Sequence, residues 1–248
     1  MRYLLIFMLF VGLFVVGKRA CHFNPNGFVF GVGIRGEGPA KTEIRSVSNF
    51  HAIELGVSGD VEVSVAETFF VEVQAQENLL LVLKTEVDNG TLKIYFSENV
   101  SYSDNLKIRV SAPAFDAFSI GGSGTVRVVT PIQSDKMKLE IGGSGDIYLM
   151  QGEFGSVKTS IAGSGGIELG GKANSMESEI AGSGDVKAKA LTANELKVSI
   201  AGSGSVTCDV VQTLKAEIAG SGDVFYTGAP TVDADVNGSG KVKKLEVQ

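Results

Sequence analysis

The chain has 248 residues, of which 22 are basic and 28 acidic, giving a formal charge of −6 at neutral pH. An acidic balance without a basic cluster in the body of the chain argues against a surface that binds nucleic acids. Two cysteines are too few for a disulfide framework, and the 32 glycines recur between apolar runs, which is typical of turns.

Residues 1–17 are predicted to form an export signal, because Arg2 precedes the apolar run Tyr3–Val16. The run is shorter than the ~20 residues that a spanning helix requires, and Lys18-Arg19 ends it. Two alternatives remain open: an uncleaved anchor, and a lipoprotein whose lipid is attached at Cys21. We expect a location in the periplasm, at the cell surface or in the medium. Membrane contact is then expected only through the leader or a lipid anchor.

Residues 18–39 are predicted to form a flexible linker, since glycines and Pro39 punctuate them. Within this linker, Gly31–Gly36 matches the glycine spacing of the dinucleotide fingerprint. That motif needs a helix opening directly on it, so that the helix end can hold the pyrophosphate. No helical pattern follows here, and we therefore predict no cofactor.

Residues 40–118 are predicted to form an irregular amino-terminal β portion. Asp88-Asn89-Gly90 indicates a hairpin turn, because asparagine and glycine accept the positive φ of such turns. Glu77–Leu83 fits either a short helix or a buried strand. Gly56–Gly59 resembles a degenerate copy of a corner that recurs later in the chain. Alternating strands are predicted at Glu43–Val47, Val61–Val65, Phe70–Ala75 and Leu106–Val110.

Residues 119–248 repeat one five-residue pattern, seen for example at Ile161–Gly165. The repeated corners are Gly122-Ser123-Gly124, Gly143-Ser144-Gly145, Gly163-Ser164-Gly165, Gly182-Ser183-Gly184, Gly202-Ser203-Gly204, Gly220-Ser221-Gly222 and Gly238-Ser239-Gly240. Successive serines are 21, 20, 19, 20, 18 and 18 residues apart, which marks a solenoid whose coils bury their apolar sides on one another.

The strand before each corner alternates between apolar and polar residues. The predicted inward residues are Met137, Leu139, Ile141, Val157, Thr159, Ile161, Met176, Ser178, Ile180, Leu196, Val198, Ile200, Leu214, Ala216, Ile218, Val232, Ala234 and Val236. Coils of about 20 residues cannot close as identical hairpins, so each strand must pair in parallel with its counterpart in the next coil. The sequence therefore predicts an all-β fold, a parallel β-helix, and the usual rule for parallel strands favours right-handed crossovers. Loops are expected at Gln151–Gly155 and Gly170–Asn174.

The repeats offer few groups for chemistry. The residue after each corner varies and includes Gly166 and Lys241, so a ladder of calcium ligands is not expected, and no metal site is predicted. The two histidines, His22 and His51, lie outside the coils, and no catalytic site is predicted. Cys208 occupies an inward position, which indicates a buried and inert thiol.

Aromatic side chains could stack against a glycan, but they are sparse after Phe118. Alternation directs Tyr148 and Phe225 outward, in different coils, and Phe154 is expected in a loop as a candidate contact.

The order of these features resembles the head GIN domain family of auto-transporter adhesins, which are exported bacterial proteins. The matching segments are Arg45–Ile53, Gly59–Val61, Gly90–Ile94, and Pro113–Phe115 leading into Ile120–Gly124. The resemblance covers roughly residues 40–248. It implies a β-solenoid outside the cytoplasm and an adhesive role, and it assigns no functional residues.

These observations favour an exported, non-enzymatic β-solenoid that presents a binding or adhesive face to a glycan or a protein at the cell envelope. One alternative is a polysaccharide-processing enzyme of the parallel β-helix type, which would need carboxylates and basic groups converging in a groove. The other is a structural envelope protein that stacks through its last coil, although Asp233 and Asp235 would discourage edge pairing.

Overall fold

The structure is a computed structural model that describes residues 33–103 and 106–246. The predicted leader, Cys21, His22 and the first part of the linker lie outside the described residues. The elements in chain order are β1 (Ile34–Arg35), β2 (Ala40–Ile44), β3 (Ala52–Leu55), β4 (Asp60–Val65), β5 (Phe70–Gln76), α1 (Glu77–Leu80), β6 (Leu83–Asp88), β7 (Thr91–Phe96), β8 (Val100–Tyr102), β9 (Lys107–Ala112), β10 (Ala117–Ile120), β11 (Thr125–Val128), β12 (Ile132–Ile141), β13 (Asp146–Gly163), β14 (Gly166–Gly182), β15 (Asp185–Gly202), β16 (Ser205–Gly220), β17 (Asp223–Gly228), β18 (Thr231–Gly238) and β19 (Lys241–Lys244).

The predicted parallel β-helix is confirmed, with about 6 turns of solenoid. Each coil pairs in parallel and in register with the next, so that corresponding residues form columns along the molecule. The corner-side column of isoleucines consists of Ile120, Ile141, Ile161, Ile180, Ile200 and Ile218. All six side chains are at most 2% exposed, which confirms their inward direction.

Two faces of the coil present outward side chains on either side of the corners. The leading face contains the segments that run into a corner, together with the antiparallel strand β6 beside β7. These segments are β7, β3, β10, 137–141, 157–161, 176–180, 196–200, 214–218 and 232–236. The trailing face contains the segments that follow a corner, together with the antiparallel strands β5 and β2 beside β9. These segments are β9, β4, β11, 146–149, 166–169, 185–188, 205–208, 223–226 and 241–244. A third side joins the trailing face back to the next leading face.

This third side differs from the prediction. The sequence predicts loops at Gln151–Gly155 and Gly170–Asn174, but β13 and β14 run through both segments as continuous strands of 18 and 17 residues. The backbone bends there while keeping parallel pairing, for example between Phe154 and Ala173. The loop prediction is therefore wrong, because a bent strand and a loop have similar composition.

The corners depend on glycine at one position in particular. Gly163 and Gly182 have φ values of 149° and 134°, in the region that side chains other than glycine disfavour. A Cβ added at Gly163 would also collide with the carbonyl oxygen of Gly143 in the preceding coil. That carbonyl accepts a hydrogen bond from the backbone N–H of Ser164 at 2.9 Å. The corner therefore leaves no room for a side chain at this position.

The inward side chains of the coils form a core between the faces. The last coil is an exception, because the residues predicted to point inward there are exposed. Val232 and Val236 are 38% and 36% exposed, and Ala234 is exposed as well. They occupy the predicted inward columns, but β18 has β16 on one side and no described strand on the other. The inward side chains of this coil therefore face an open end.

The amino-terminal coils do not follow chain order. The coil of β3 and β4 lies in the middle: β10 and β11 pair with one edge, and β7 and β9, which come earlier than β10 in the chain, pair with the other. Gly121 donates to the carbonyl of Leu55, which confirms Gly56–Gly59 as a degenerate corner. This end of the solenoid is then covered by antiparallel strands, β6 on β7 and β5 and β2 beyond β9.

The predicted hairpin joins β6 and β7, with Asn89 and Gly90 at φ values of 49° and 77°. For Glu77–Leu83 the sequence allows a short helix or a buried strand. The structure has the short helix α1 there, and β6 begins at Leu83. Within the range predicted as a linker, β1 pairs in parallel with β8, and Ile34 packs against the core. No helix opens on the described part of the glycine fingerprint.

Candidate functional site

The outer side of the trailing face carries a row of side chains that crosses both parts of the solenoid. The row is the set of register partners Glu72, Arg109, Glu62, Arg127, Tyr148, Glu168, Lys187, Thr207, Phe225 and Lys243. We call it the charged row. Its first members alternate in sign, with neighbours about 4.8 Å apart along the solenoid axis.

A groove of about 390 Å³ lies on this row at the junction of the amino-terminal and regular coils. Its polar lining combines three cations and three carboxylates, and Tyr148 lies at one end. The lining residues are Asp60, Val61, Glu62, Glu72, Gln74, Lys107, Ile108, Arg109, Thr125, Arg127 and Tyr148. Such a lining offers hydrogen-bond donors and acceptors side by side.

Two contacts fix the geometry of the groove. The guanidinium of Arg109 donates to the carboxylate of Glu72 at 2.9 Å across the antiparallel pair of β5 and β9. The guanidinium of Arg127 lies over the ring of Tyr148, 4.1 Å from its centroid, which is a cation–π contact. Within the described chain, no carboxylate lies within ion-pair distance of Arg127. Its N–H donors remain available to a ligand.

Sequence alternation places Tyr148 on the outer face but does not reveal the groove. The walls come from β5, β9, β4, β11 and β13, which are adjacent in space in an order that differs from chain order. In the sequence, Glu62, Arg109 and Arg127 alternate with apolar residues. This alternation predicts that the three side chains are exposed, but it does not predict that they are neighbours in space.

A shallower depression of about 170 Å³ continues from Tyr148 towards Lys187. It exists because Gly166 has no side chain, and the carboxylate of Asp146 leans over that position. Asp185 accepts hydrogen bonds from the backbone N–H and the hydroxyl of Ser205 at 3.0 and 2.6 Å. The carboxylate of Asp185 thus links neighbouring coils. In the described residues, no three His, Cys, Asp or Glu side chains converge as a metal site would require.

The outer side of the leading face is an ion-paired surface. Lys197 lies 2.9 Å from Glu177, and Lys158 lies 2.9 Å from Glu179 and 3.6 Å from Glu177. The hydrogen bond from Lys197 lowers the pKa of Glu177, and the bond to Glu179 raises the pKa of Lys158. These are cross-strand pairs on adjacent coils, and their charges neutralise one another.

The remaining predicted groups lie apart from the groove. Cys208 is fully buried, which confirms its predicted inward position, and desolvation raises the pKa of its thiol to about 12. His51 pairs with Asp116 at 2.8 Å beside the β6–β7 turn. The sequence predicts Phe154 as an accessible contact, but it is only 6% exposed. Its ring turns inward over Gly152, where a Cβ would occupy the space of the ring.

The fold and these surfaces define a parallel β-solenoid with a buried aliphatic interior, cross-strand ion pairs on the leading face and a charged groove on the trailing face. None of the described residues belongs to a helix with the length and apolar character that crossing a bilayer requires. The family model described as "Putative auto-transporter adhesin, head GIN domain" matches residues 49–230. The chain belongs to this family.

Several solved structures share the fold. A "putative adhesin" of Bacteroides fragilis is 23% identical, with a TM-score of 0.78, over 86% of this chain and 100% of that one. A "putative lipid binding protein" of Parabacteroides distasonis is 27% identical, with a TM-score of 0.74, over 86% and 99%. A "putative adhesin" of Parabacteroides merdae is 23% identical, with a TM-score of 0.69, over the same shares. A comparison with curated proteins found no match.

Proposed function

We propose that this chain is an exported, non-enzymatic adhesive protein of the cell envelope that holds a surface glycan in the groove of the trailing face. The observation that carries the proposal is the groove itself, where Arg127, Tyr148 and Arg109 lie next to carboxylates on a rigid sheet. Membership of the adhesin family supports an extracellular or envelope location.

The chemistry of the lining favours a glycan over a purely anionic ligand. Carboxylates of Asp60, Glu62 and Glu72 accept hydrogen bonds from hydroxyl groups, and the arginines donate to them. The ring of Tyr148, which the guanidinium of Arg127 holds in place from one side, supplies an aromatic contact for the apolar part of a sugar ring. Equal numbers of positive and negative groups suit a neutral, hydroxyl-rich ligand better than a polyanion.

The arrangement does not favour turnover. The described histidine, His51, pairs with Asp116 away from the groove, and burial raises the pKa of the Cys208 thiol far above neutral. Within the groove, Arg109 donates a hydrogen bond to the carboxylate of Glu72 at 2.9 Å, so this carboxylate is already engaged by a neighbouring side chain.

The test is a glycan array and a pull-down from bacterial and host surfaces with the exported chain, followed by titration of the best ligand. Arg127→Ala and Tyr148→Ala are expected to weaken binding roughly tenfold or more, because Arg127 supplies hydrogen-bond donors and Tyr148 supplies the aromatic ring of the lining. The matched control Lys197→Ala removes a cation from the leading face and should leave binding unchanged. Unchanged affinity in both groove variants, or turnover of the glycan, would overturn the proposal.

Anionic and zwitterionic vesicles form a second arm of this test, because one relative of known structure is described as lipid binding. The exposed large apolar side chains of the described residues, such as Ile44, Leu81 and Met150, are scattered over different elements. We therefore expect no vesicle binding through the groove.

A further inference from the structure

We propose that the open carboxyl-terminal coil, β18 and β19, is the contact surface of a two-fold symmetric dimer, in which β18 of each copy pairs antiparallel with β19 of the other. This surface is separate from the groove, and the dimer is expected whether or not the groove binds a glycan.

The first observation is that this coil has unused backbone groups. The backbone N–H of Lys138 donates to the preceding coil, and the register column of Lys138 continues through Lys215 to Asp233. Backbone hydrogen-bonding groups alternate in direction along a strand. The backbone groups of Asp233 and Asp235 therefore point to the preceding strand, β16, and those of Val232, Ala234 and Val236 point to the open edge. In the same way, the N–H of Leu245 donates to Tyr226, so the backbone groups of Val242 and Lys244 point to the open edge of β19.

The second observation is that the two ends of the solenoid are treated differently. At the amino-terminal end, antiparallel strands and α1 cover the coil of β7 and β9. At the other end, within residues 33–103 and 106–246, no strand covers β18 or β19, and Val232 and Val236 remain more than a third exposed. An uncovered strand edge with apolar side chains beside it readily pairs with another chain.

The third observation is the charge pattern, which selects the partner strand. β18 presents Asp233 and Asp235, and β19 presents Lys241, Lys243 and Lys244. In the described part of the chain none of these five side chains forms an ion pair, whereas Lys138, Lys158, Lys197 and Lys215 of the leading face all do. Pairing β18 with β18 of a second copy would oppose aspartates, but pairing it with β19 joins opposite charges.

A two-fold axis that passes through the corner at Ser239, perpendicular to the solenoid axis, satisfies all three observations together. β18 runs into this corner and β19 leaves it. The axis places β18 of one copy against β19 of the other, and the two strands then run antiparallel. The register then pairs Val236 with Val242 of the second copy, and both are residues whose backbone groups are free. The same register places Asp235 opposite Lys243 of the second copy, on the outer side. Asp235 Oδ1 accepts from the side chain of Asn237 at 3.3 Å, which leaves Oδ2 for the lysine.

Such a contact is closed, because each copy uses the open coil at the end of its described residues, and it yields a dimer rather than a filament. If the groove binds a glycan, the dimer carries two grooves about 60 Å apart near its two ends. Two linked sites would strengthen attachment to a repetitive surface beyond the affinity of one.

The test is to measure the molecular mass of the protein by light scattering over a range of concentrations. The protein is used as its host exports and processes it. The wild-type chain should have twice the mass of one copy. Asp235→Lys and Lys243→Glu should each raise the dimer dissociation constant at least about tenfold, because each sets like charges opposite one another. The double variant D235K/K243E restores opposite charges and should recover a dissociation constant close to that of the wild type.

Lys136→Glu is the matched control, since it makes the same change in net charge as Lys243→Glu at an exposed residue far from β18 and β19. It should leave the dimer intact. Circular dichroism on each variant checks that the fold persists. A wild-type chain that stays monomeric, mass that keeps growing with concentration, or single variants that dimerise normally would each overturn the proposal. A double variant that fails to recover would do so as well.

Discussion

The regular coils and the amino-terminal coils fill the same column in different ways. The midpoint column of the leading face runs from Phe118 through Leu139, Thr159 and Ser178 to Val198. In the amino-terminal part, Phe118 belongs to an aromatic cluster with Phe115 at 5.5 Å, which continues to Phe50. In the regular part, the column narrows to small side chains.

The difference shows how the repeats restrict the backbone conformation and the side-chain size at each position. Stacked, in-register coils place like positions ~4.8 Å apart, so every coil must accept the same backbone and a similar side-chain volume. The amino-terminal coils are covered by antiparallel strands and include the aromatic cluster of Phe118, Phe115 and Phe50. The repeats therefore constrain the backbone at the corners, whereas the amino-terminal part accepts larger side chains in the same column.

The corner glycines should give the largest contrast between the two regions. Gly163→Val is expected to destabilise the protein by about 3 to 5 kcal/mol, because it combines a disfavoured φ with a collision against Gly143. Gly122→Ala is the comparison at the junction with the amino-terminal part, where the nearest atoms to an added Cβ belong to Val57 at 4.0 Å. It should shift stability by less than about 1 kcal/mol. Urea denaturation measures both, and equal effects would contradict the contrast.

The narrow midpoint of the regular core gives the next largest effect. Thr159 and Ser178 are fully buried, and their hydroxyls are hydrogen-bonded at 2.9 Å. Thr159→Val should cost about 1 to 3 kcal/mol, because it leaves the Ser178 hydroxyl buried without this partner. Adding Ser178→Ala removes that hydroxyl and should recover much of the loss. Denaturation of the single and double variants checks this, and additive losses would show that the hydroxyl pair is not coupled.

The ion pairs of the leading face should give the smallest effect. Glu177→Gln is expected to lower the free energy of unfolding by less than about 1 kcal/mol at neutral pH, since the pair with Lys197 is partly exposed. The pKa of Glu177 is lowered in the folded state, so its contribution is present above the ordinary glutamate pKa. It is lost as the pH falls through the lowered value.

Melting temperatures at neutral and acid pH test the sign of this effect. The gap between wild type and Glu177→Gln should close in acid, while the control Glu195→Gln should differ little at either pH. A gap that widens in acid would contradict the assigned shift.

The stacking of the regular coils could be predicted from the sequence, because equivalent positions of successive repeats must lie next to one another. Ile161 lies beside Ile141 and Ile180 simply because identical stretches stack. The amino-terminal coil order could not be predicted in this way, since β7 and β10 lie on opposite sides of β3 and no repeat links them. The groove was missed for the same reason, because Glu72, Arg109 and Arg127 become neighbours only through that order.

Two errors in the regular part have local causes. The loop expected at Gln151–Gly155 predicts an accessible Phe154, but the segment is a strand and Gly152 leaves room for the ring inside the coil. Alternation predicts a buried Val236, but it indicates only the side of a strand and not whether another coil covers it.

The in-register parallel stacking of coils underlies the groove, the ion pairs and the dimer contact alike. The most direct measurement is disulfide formation between introduced cysteines on the trailing face, in a chain whose Cys21 and Cys208 are replaced by alanine. Glu168→Cys with Lys187→Cys places two thiols on register partners, within the ~4.4–6.8 Å between Cα atoms that a disulfide needs. This pair should oxidise readily, and Glu168→Cys with Thr207→Cys, two coils apart, should not. Efficient crosslinking of the second pair without the first would contradict the stacking.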